Sequence, residues 1–378
     1  METIQLDESQ LKAVEAACDM GDAIITGGAG TGKTTIIKAV ADNFKGLVEI
    51  AAPTGKAAAR LKEATGYPAA TIHRLLLWDG EKINRKSPWT CPLIIDESSM
   101  IDAWLLAQIL TFNPPKLLLV GDAAQLPPVG KGQPFHDLLK LRPDIVTELK
   151  HCWRAQGAVH KAAKAIRSGQ APQQADNSGG ETWKMIETGQ AESTMEKIIQ
   201  WVKAGALDFT RDIIISPTYG DDQDNDGGID SINRAVRAIV NPAESKFYRG
   251  DRVICGKNFS GLDLWNGDLG TVGDTDIDNN LWVTLDRDPQ PRLCDKDQIR
   301  ELKHAYCLSV HKAQGSQFRR VIFVCLRKHW YQLDRSLIYT AITRAQKGVC
   351  VIGELQAFYN GINTVKTKTT CLQILGKK

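Results

Sequence analysis

The sequence predicts an α/β protein with two doubly wound parallel sheets in tandem and a small β-rich insertion in the second. Three observations carry this prediction. Short apolar runs closed by Gly, Pro or Asp alternate with helical stretches from the start of the chain. A glycine-rich turn separates the first run from the helix after it. Beyond residue 158 the alternation resumes, then breaks between 246 and 304 into brief strands with glycine turns.

In chain order, DAIITGG (22–28), LVEIAAPTG (47–55), CPLIIDES (91–98) and KLLLVGDAA (116–124) read as buried parallel strands. The helix-like stretches GKTTIIKAVADNF (32–44) and GKAAARLKEAT (55–65) lie between them. Strand–helix–strand repetition of this kind predicts a first domain over 1–145, with a short hairpin inserted at about 78–90. AVHKAAKAIRSG, MEKIIQWVKAG, DIIISPT, VIFVCL and GVCVIG continue the pattern into a second domain, 146–245 plus 305–378. Residues 168–194, rich in Gly, Gln, Ser and Thr, read as an exposed connection. GDRVICG, GDLGTVGD and LWVTLD define the β insertion over 246–304.

Composition excludes classes without selecting one. The chain has 378 residues, and its 47 basic against 44 acidic residues leave a surplus of +3, which neither demonstrates nor excludes a polyanion partner. No run approaches 18 uncharged apolar residues, and the start is polar and acidic, so neither a membrane span nor a secretory signal is expected. Nine scattered cysteines with no CxxC pair read as reduced thiols, without a disulfide frame or zinc site. A soluble cytoplasmic protein is expected.

The glycine-rich turn is Gly27-Gly28-Ala29-Gly30-Thr31-Gly32-Lys33-Thr34, which fits G-x4-G-K-[ST] between a strand and a helix. Glycines let successive backbone N–H groups face phosphate oxygens, and the helix N-terminus adds partial positive charge. Lys33 then reaches the terminal phosphates and the Thr34 hydroxyl ligates Mg²⁺. Gly28, Gly30, Thr31, Gly32 and Thr35 complete the expected ATP cradle. Leu93-Ile94-Ile95-Asp96-Glu97 ends a strand in two acids. Alone, such a pair reads as a solvated strand end. Downstream of a phosphate loop, Asp96 is placed to hold Mg²⁺ and Glu97 to polarise the attacking water. Gln125, after the next strand, is positioned to sense a γ-phosphate. Arg154 and Arg344 fall in the second domain, where a guanidinium stabilises transition-state charge and couples hydrolysis to domain closure. Taken singly, either arginine reads first as a surface salt bridge.

Gln10, the phosphate loop, APTGKAAARL, TIHRLL, LIIDESSM, GDAAQLPPVG, WRA, SVHKAQGSQF and YTAITRA occur in the order of the superfamily 1 helicase motifs. In detail the chain resembles the RecD-like and phage Dda-like members of the 1B branch from about residue 5 to 353. The resemblance implies two RecA-like P-loop NTPase domains and an SH3-like insertion. It implies an ATP- and Mg²⁺-dependent motor moving 5′→3′ on single-stranded DNA and tailed duplexes. By it, Gln10 reads the adenine edge and Gln125 couples γ-phosphate to DNA. Arg154 and Arg344 contact the phosphates, while Gln314 and Gly315 lie near the nucleotide at the interdomain cleft. Two departures from the family stand out. The N-terminal extension of many RecD-like proteins is expected to be missing, and the insertion in the first domain is short for a strand-separating pin.

A single strand is held by backbone contacts, hydroxyls and stacking rather than by bulk charge. Candidates are Pro53, Thr54, Lys56, His73 and Arg74 in the first domain. In the second they are Ser216, Pro217, Thr218, Ser309, His311 and Lys312, with Asn258 in the insertion. All but Asn258 fall at or just after the C-terminal ends of expected strands, where open α/β sheets place their ligand crevice. The resemblance implies most of these positions. Trp78, Trp89, Trp183, Trp201, Trp265, Trp282 and Trp330 read as core or interface and receive no role. The chain is expected to act as a monomer in the cytoplasm of a bacterial or phage-infected cell, alongside replication or recombination proteins. Three alternatives stay open: an ATPase subunit of a nuclease complex, an RNA helicase of the same branch, and a nucleotide-switch binding module.

Overall fold

The computed structural model describes residues 6–19, 21–153, 157–220, 226–242 and 244–368. The chain divides into two compact units, Met1–Ala155 with Lys366–Lys378, and Gln156–Val365. In the first unit the strands are β1 (Ala23–Gly27), β2 (Glu49–Ala52), β3 (Ala69–Thr71), β4 (Leu93–Ile95), β5 (Leu117–Gly121) and β6 (Val146–Leu149). They form one parallel sheet in the order β3-β2-β4-β5-β1-β6. Its helices are α1 (Glu8–Cys18), α2 (Lys33–Asn43), α3 (Gly55–Thr65), α4 (Ile72–Leu75), α5 (Ala103–Thr111) and α6 (Pro134–Leu141). Two apolar clusters cover the sheet. One joins Ala13, Val14, Ile36, Ile37 and Val40 to Ile25, Ile50 and Val120. The other joins Leu105, Leu106, Ile109 and Phe135 to Ile24, Ile95 and Leu119.

Helix starts here are written into the sequence by side-chain caps. Asp7 accepts from the Gln10 backbone while the Gln10 side chain accepts from the Asp7 backbone, a reciprocal capping box. Thr54, Thr71 and Asp102 each accept from the backbone three residues on, at the heads of α3, α4 and α5.

In the second unit the strands are β7 (Ala175–Asp176), β8 (Thr182–Glu187), β9 (Asp212–Ile215), β10 (Arg252–Cys255), β11 (Leu269–Thr275), β12 (Leu281–Leu285), β13 (Asp288–Cys294), β14 (Leu302–His304), β15 (Cys307–Leu308), β16 (Phe318–Cys325) and β17 (Ala345–Gly353). Its helices are α7 (Ala158–Arg167), α8 (Ala191–Lys203), α9 (Ile229–Val240), α10 (Lys296–Arg300), α11 (Val310–Ala313), α12 (Arg335–Ile342) and α13 (Leu355–Asn363). The main sheet runs β15-β9-β16-β17-β8-β7, parallel except for the edge strand β7. A separate antiparallel sheet, β13-β12-β11-β10-β14, encloses its own core of Val253, Val272, Val283 and Leu302.

Four expectations are corrected. The first domain does not stop at 145, because Val146–Leu149 pairs in register with β1. Residues 168–194 are not a plain connection: Thr182–Glu187 is a sheet strand, pairing from Thr182↔Gly348 to Glu187↔Gly353, and it buries Trp183 and Met185. The proposed hairpin at 78–90 reduces to one antiparallel bridge, Trp78↔Ile83. Residues 366–368 belong with the first unit rather than the second. There the Lys368 ammonium donates to the carbonyls of Pro128, Val129 and Gly130.

Candidate nucleotide and single-strand sites

In the first sheet β5 lies between β4 and β1, so their C-terminal ends are neighbours; Ile95 pairs with Leu119 and Thr26 with Gly121. Those ends lead into the phosphate loop, the Asp96–Glu97 pair and the turn that carries Gln125. Gly30 and Gly32 adopt left-handed backbone (φ 80° and 86°), and Gly32 is the N-cap of α2. A Cβ on Gly32 would stand 2.4 Å from Gln10 Nε2. The Lys33 ammonium donates to the carbonyls of Gly27 (2.7 Å) and Gly28 (3.0 Å), and buried Thr31 donates to Gly28 O at 3.0 Å. Gln10 is buried, with Nε2 donating to Thr31 O at 3.2 Å.

Glu97 takes left-handed backbone (φ 51°), the turn that sends the chain sideways after β4. Its backbone donates to Asp96 Oδ1 at 2.8 Å, while its buried Oε2 has no protein partner. Burial and the Glu97 charge push the Asp96 carboxyl above the usual carboxylate range, against the pull of Lys33 and Arg60. A carboxylate at the end of β4 and the Thr34 hydroxyl in the first turn of α2 are hard oxygen donors, suited to Mg²⁺ completed by phosphate oxygens. The unpartnered Glu97 oxygen fits a group that orients water beside it. Asp122, fully buried, accepts from the Ala124 backbone (3.0 Å), and its carbonyl accepts from the Gln125 backbone (3.1 Å), so the turn presents a buried Gln125.

Trp153 is a site residue that sequence reasoning missed. Its backbone donates to Gly30 O (2.9 Å), its indole N–H to Asp7 Oδ2 (3.0 Å), and the His151 ring stands edge-on at 4.7 Å. The ring stays 54% exposed beside the phosphate loop and Gln10, an open aromatic face where a base can stack. Its signal lay in its place next to Arg154 in the WRA motif. Arg154 itself lies outside the described residues.

In the second unit Arg344 is 4% exposed, its guanidinium donating to Thr340 O (3.1 Å) and Thr343 Oγ1 (3.2 Å) at the end of α12. Gln314 and Ser316 are buried, and Gln314 Nε2 and Ser316 Oγ find no protein partner; Gly315 between them is left-handed (φ 72°). Buried polar atoms left without a partner at a chain turn are costly, and a ligand contact offsets that cost.

The strand candidates separate into three kinds. Thr54 and Ser309 use their hydroxyl oxygens as helix caps, accepting from Ala57 N and Lys312 N, and a hydroxyl that accepts in this way can still donate. Arg74 and His311 are exposed, Pro53, Lys56 and Lys312 half-buried, and Asn258 is exposed with Oδ1 accepting from Asn266 N. His73 packs edge-on to Trp78 at 6.3 Å, and burial lowers its pKa from the ordinary histidine value. Ser216 is corrected: its side chain is fully enclosed, with the hydroxyl donating to Gly227 O at 2.9 Å, and it cannot reach a strand. Pro217 and Thr218 beside it are buried too.

A cavity of about 760 Å³ opens next to Ser309 and Lys312, lined also by Arg234, Arg300 and Lys303. Burial and the nearby Lys303 charge lower the Lys312 pKa from the ordinary lysine value. No sequence motif marks Arg234, Arg300 or Lys303; the fold gathers them from α9, α10 and β14. Among the described residues no group of three or more His, Cys, Asp or Glu forms a metal site, and no helix is long and apolar enough to cross a membrane.

The AAA domain family matches residues 5–184, and the UvrD-like helicase C-terminal domain family matches 304–352. The chain is 32% identical over 368 residues to the ATP-dependent RecD2 DNA helicase of Deinococcus radiodurans, covering 93% of this chain and 50% of that protein. It is 30% identical over 399 residues to the RecBCD enzyme subunit RecD of Mycolicibacterium smegmatis, covering 92% and 71%. Among solved structures, the Pif1 helicase from Bacteroides in complex with ADP-AlF3 and ssDNA superposes with a TM-score of 0.62 at 18% identity, over 97% and 95% of the two chains. The Pif1 helicase from Candida albicans gives 0.55 at 18%, over 93% and 94%. These structures share the fold. The chain spans half the length of the Deinococcus relative.

Proposed function

Since the chain belongs to the RecD-like family of ATP-dependent DNA helicases, we propose that it hydrolyses ATP to move 5′→3′ along single-stranded DNA and part the duplex it meets. The observation that carries this reading is the convergence of three chemistries on neighbouring strand ends: the phosphate loop after β1, Gln125 after β5 and the acidic pair after β4.

On this reading the loop N–H groups and Lys33 hold the phosphates, while Gln10 and the Trp153 face take the base. Thr34 and Asp96 hold Mg²⁺, which supplies the charge that screens the phosphate oxygens. Glu97 accepts a proton from the attacking water, and Gln125 reports the γ-phosphate. Arg154 and Arg344 stabilise the charge that builds in the transition state, with Gln314 and Gly315 close to the nucleotide. Pro53, Thr54, Lys56, His73 and Arg74 in one unit, and Ser309, His311 and Lys312 in the other, grip the strand, with Asn258 on the insertion. Alternating grip, driven by ATP binding and release, moves the chain along its track.

DNA rather than RNA is favoured by the relatives, whose names specify DNA helicase or a RecBCD subunit, and by the Bacteroides Pif1 structure, which contains single-stranded DNA. The test is ATPase activity of the purified chain with DNA and RNA oligonucleotides. Strong stimulation by single-stranded DNA is expected. Stimulation by RNA alone would move the assignment to an RNA motor, and none by either would favour a nucleotide switch. A second reading, an ATPase subunit of a larger nuclease complex, rests on the kinship to RecBCD subunits; unwinding by the isolated chain decides against dependence on such partners.

A further inference from the structure

The three neighbouring strands β15, β9 and β16 end on one edge of the second sheet, with Leu308 in register with Ile215 and Ile215 with Phe323. Ser309, His311 and Lys312 follow β15, and Pro217, Thr218 and Tyr219 follow β9. After β16 comes Leu326-Arg327-Lys328-His329-Trp330-Tyr331, to which neither the motifs nor the proposed mechanism gives a role. In this turn the inward positions are taken by Leu326, His329 and Leu333, each at most 2% exposed. Trp330 and Tyr331 are left 73% and 53% exposed, their rings edge-to-face at 6.4 Å and 83°.

The turn is fixed, not frayed. The backbone of Trp330 donates to Arg327 O, and those of Gln332 and Leu333 to His329 O. Lys328 pairs with Asp226 of the β9–α9 connection at 2.6 Å, and Arg327 takes Glu354 through its backbone N–H at 2.7 Å. A Cβ on Gly227 would stand 2.6 Å from Leu326 Cδ1, so the β9 and β16 turns pack closely. Tyr219, on the β9 turn, is itself 45% exposed and lines the basic cavity beside Lys312. Isolated exposed apolar residues need no explanation, but two adjacent aromatic rings on a rigid turn do. Here they continue an edge already carrying hydroxyl, imidazole and ammonium groups suited to a phosphodiester chain.

We infer that Trp330 and Tyr331 form a base-stacking platform that extends the single-strand path of the second unit, an inference that rests on the single-stranded DNA reading above. The occupant is a single strand because aromatic faces stack on every base while the local cations are already engaged by Asp226 and Glu354. The platform therefore grips bases and adds little to the phosphate grip.

The test compares binding of oligodeoxythymidylate, by fluorescence anisotropy, to the parent chain and to W330A/Y331A, W330F/Y331F and H311A/K312A variants. W330A/Y331A is expected to bind about tenfold more weakly, with W330F/Y331F close to the parent. The slope of affinity against salt should be unchanged in W330A/Y331A, because no phosphate contact is lost. An oligonucleotide with abasic positions should weaken the parent and leave W330A/Y331A little affected. ATP binding, read on the same proteins, reports that each variant is folded. Parent-like affinity of W330A/Y331A, with H311A/K312A weakened, would overturn the platform and leave the motor reading intact. A parent chain that binds no single strand would overturn both.

Discussion

The Gln10 side-chain amide donates to the Thr31 carbonyl at 3.2 Å and stands where a Cβ on Gly32 would strike it, at 2.4 Å. Its Oε1 also accepts from the Asp7 backbone at 3.1 Å, closing the capping box of α1. One side chain thus ties the first helix to the phosphate loop, and on the proposed reading its second amide hydrogen meets the base. Gln10→Ala should raise the KM for ATP by about tenfold, the scale of one lost buried hydrogen bond. It should also narrow the preference for ATP over GTP. Steady-state kinetics with both nucleotides checks this, and an equal loss for each would reduce Gln10 to a structural clamp.

Lys33→Ala removes the ammonium that rests on the loop carbonyls, and turnover should disappear with weakened nucleotide binding. Glu97→Gln keeps the shape at a carboxylate whose Oε2 has no protein partner. ATP affinity should survive while hydrolysis falls by about 10²–10⁴, the range for loss of a general base. Binding of a fluorescent ATP analogue beside single-turnover hydrolysis separates the two effects. Retained turnover in either variant refutes the site.

Arg344 holds Thr340 O and Thr343 Oγ1 at the end of its helix. Arg344→Ala should lower kcat strongly with modest change in nucleotide affinity, because its contact matters chiefly in the transition state. Arg344→Lys should not restore the rate, since an ammonium lacks the planar fork. A variant that lost affinity and rate in proportion would contradict this assignment.

His311→Ala with Lys312→Ala should weaken strand binding and strand-stimulated ATPase while basal hydrolysis persists. Few charged contacts are involved, so the salt dependence of binding should be shallow beside that of a strongly basic DNA binder. Oligonucleotide titrations at several salt concentrations give both quantities, and unchanged affinity would take these residues off the path.

Asp212 opens β9 at the end of the strand away from Pro217 and Thr218. Burial alone would raise its pKa, but hydrogen bonds from Arg319 (2.7 Å) and Arg320 outweigh it and hold the carboxyl at about 2. The folded pKa lies below the ordinary 3.8, so the stabilisation is present above pH 4 and is lost as pH falls towards 2. The parent should lose about 2 kcal/mol more than Asp212→Asn across that window. Urea unfolding of both proteins at stepped pH measures the difference, and parallel curves would count against the ion cluster.

Much of the architecture was legible because it is locally encoded. The phosphate loop and the strand ending in Asp96–Glu97 each follow from a short stretch of chain. What escaped depends on distant partners. Thr182–Glu187 buries Trp183 and Met185 in alternation, but glycine and glutamine around it masked a strand that exists because β17 lies alongside. Val146–Leu149 is half polar because it forms a sheet edge, which hid its pairing with β1. Ser216 follows a strand end as a ligand residue should, yet its hydroxyl is spent on Gly227, a bond no sequence pattern announces. Trp330 reads as core or interface because tryptophan usually is; Leu326, His329 and Leu333 fill the inward positions, and Trp330 is left exposed.

Unwinding of tailed duplexes by the purified chain tests the central claim most directly. With ATP and Mg²⁺, a duplex carrying a 5′ single-stranded tail should be separated and its 3′-tailed counterpart left intact, with Lys33→Ala inactive on both. Separation of the 3′-tailed duplex alone, or ATP hydrolysis that ignores single-stranded DNA, would contradict a 5′→3′ DNA motor.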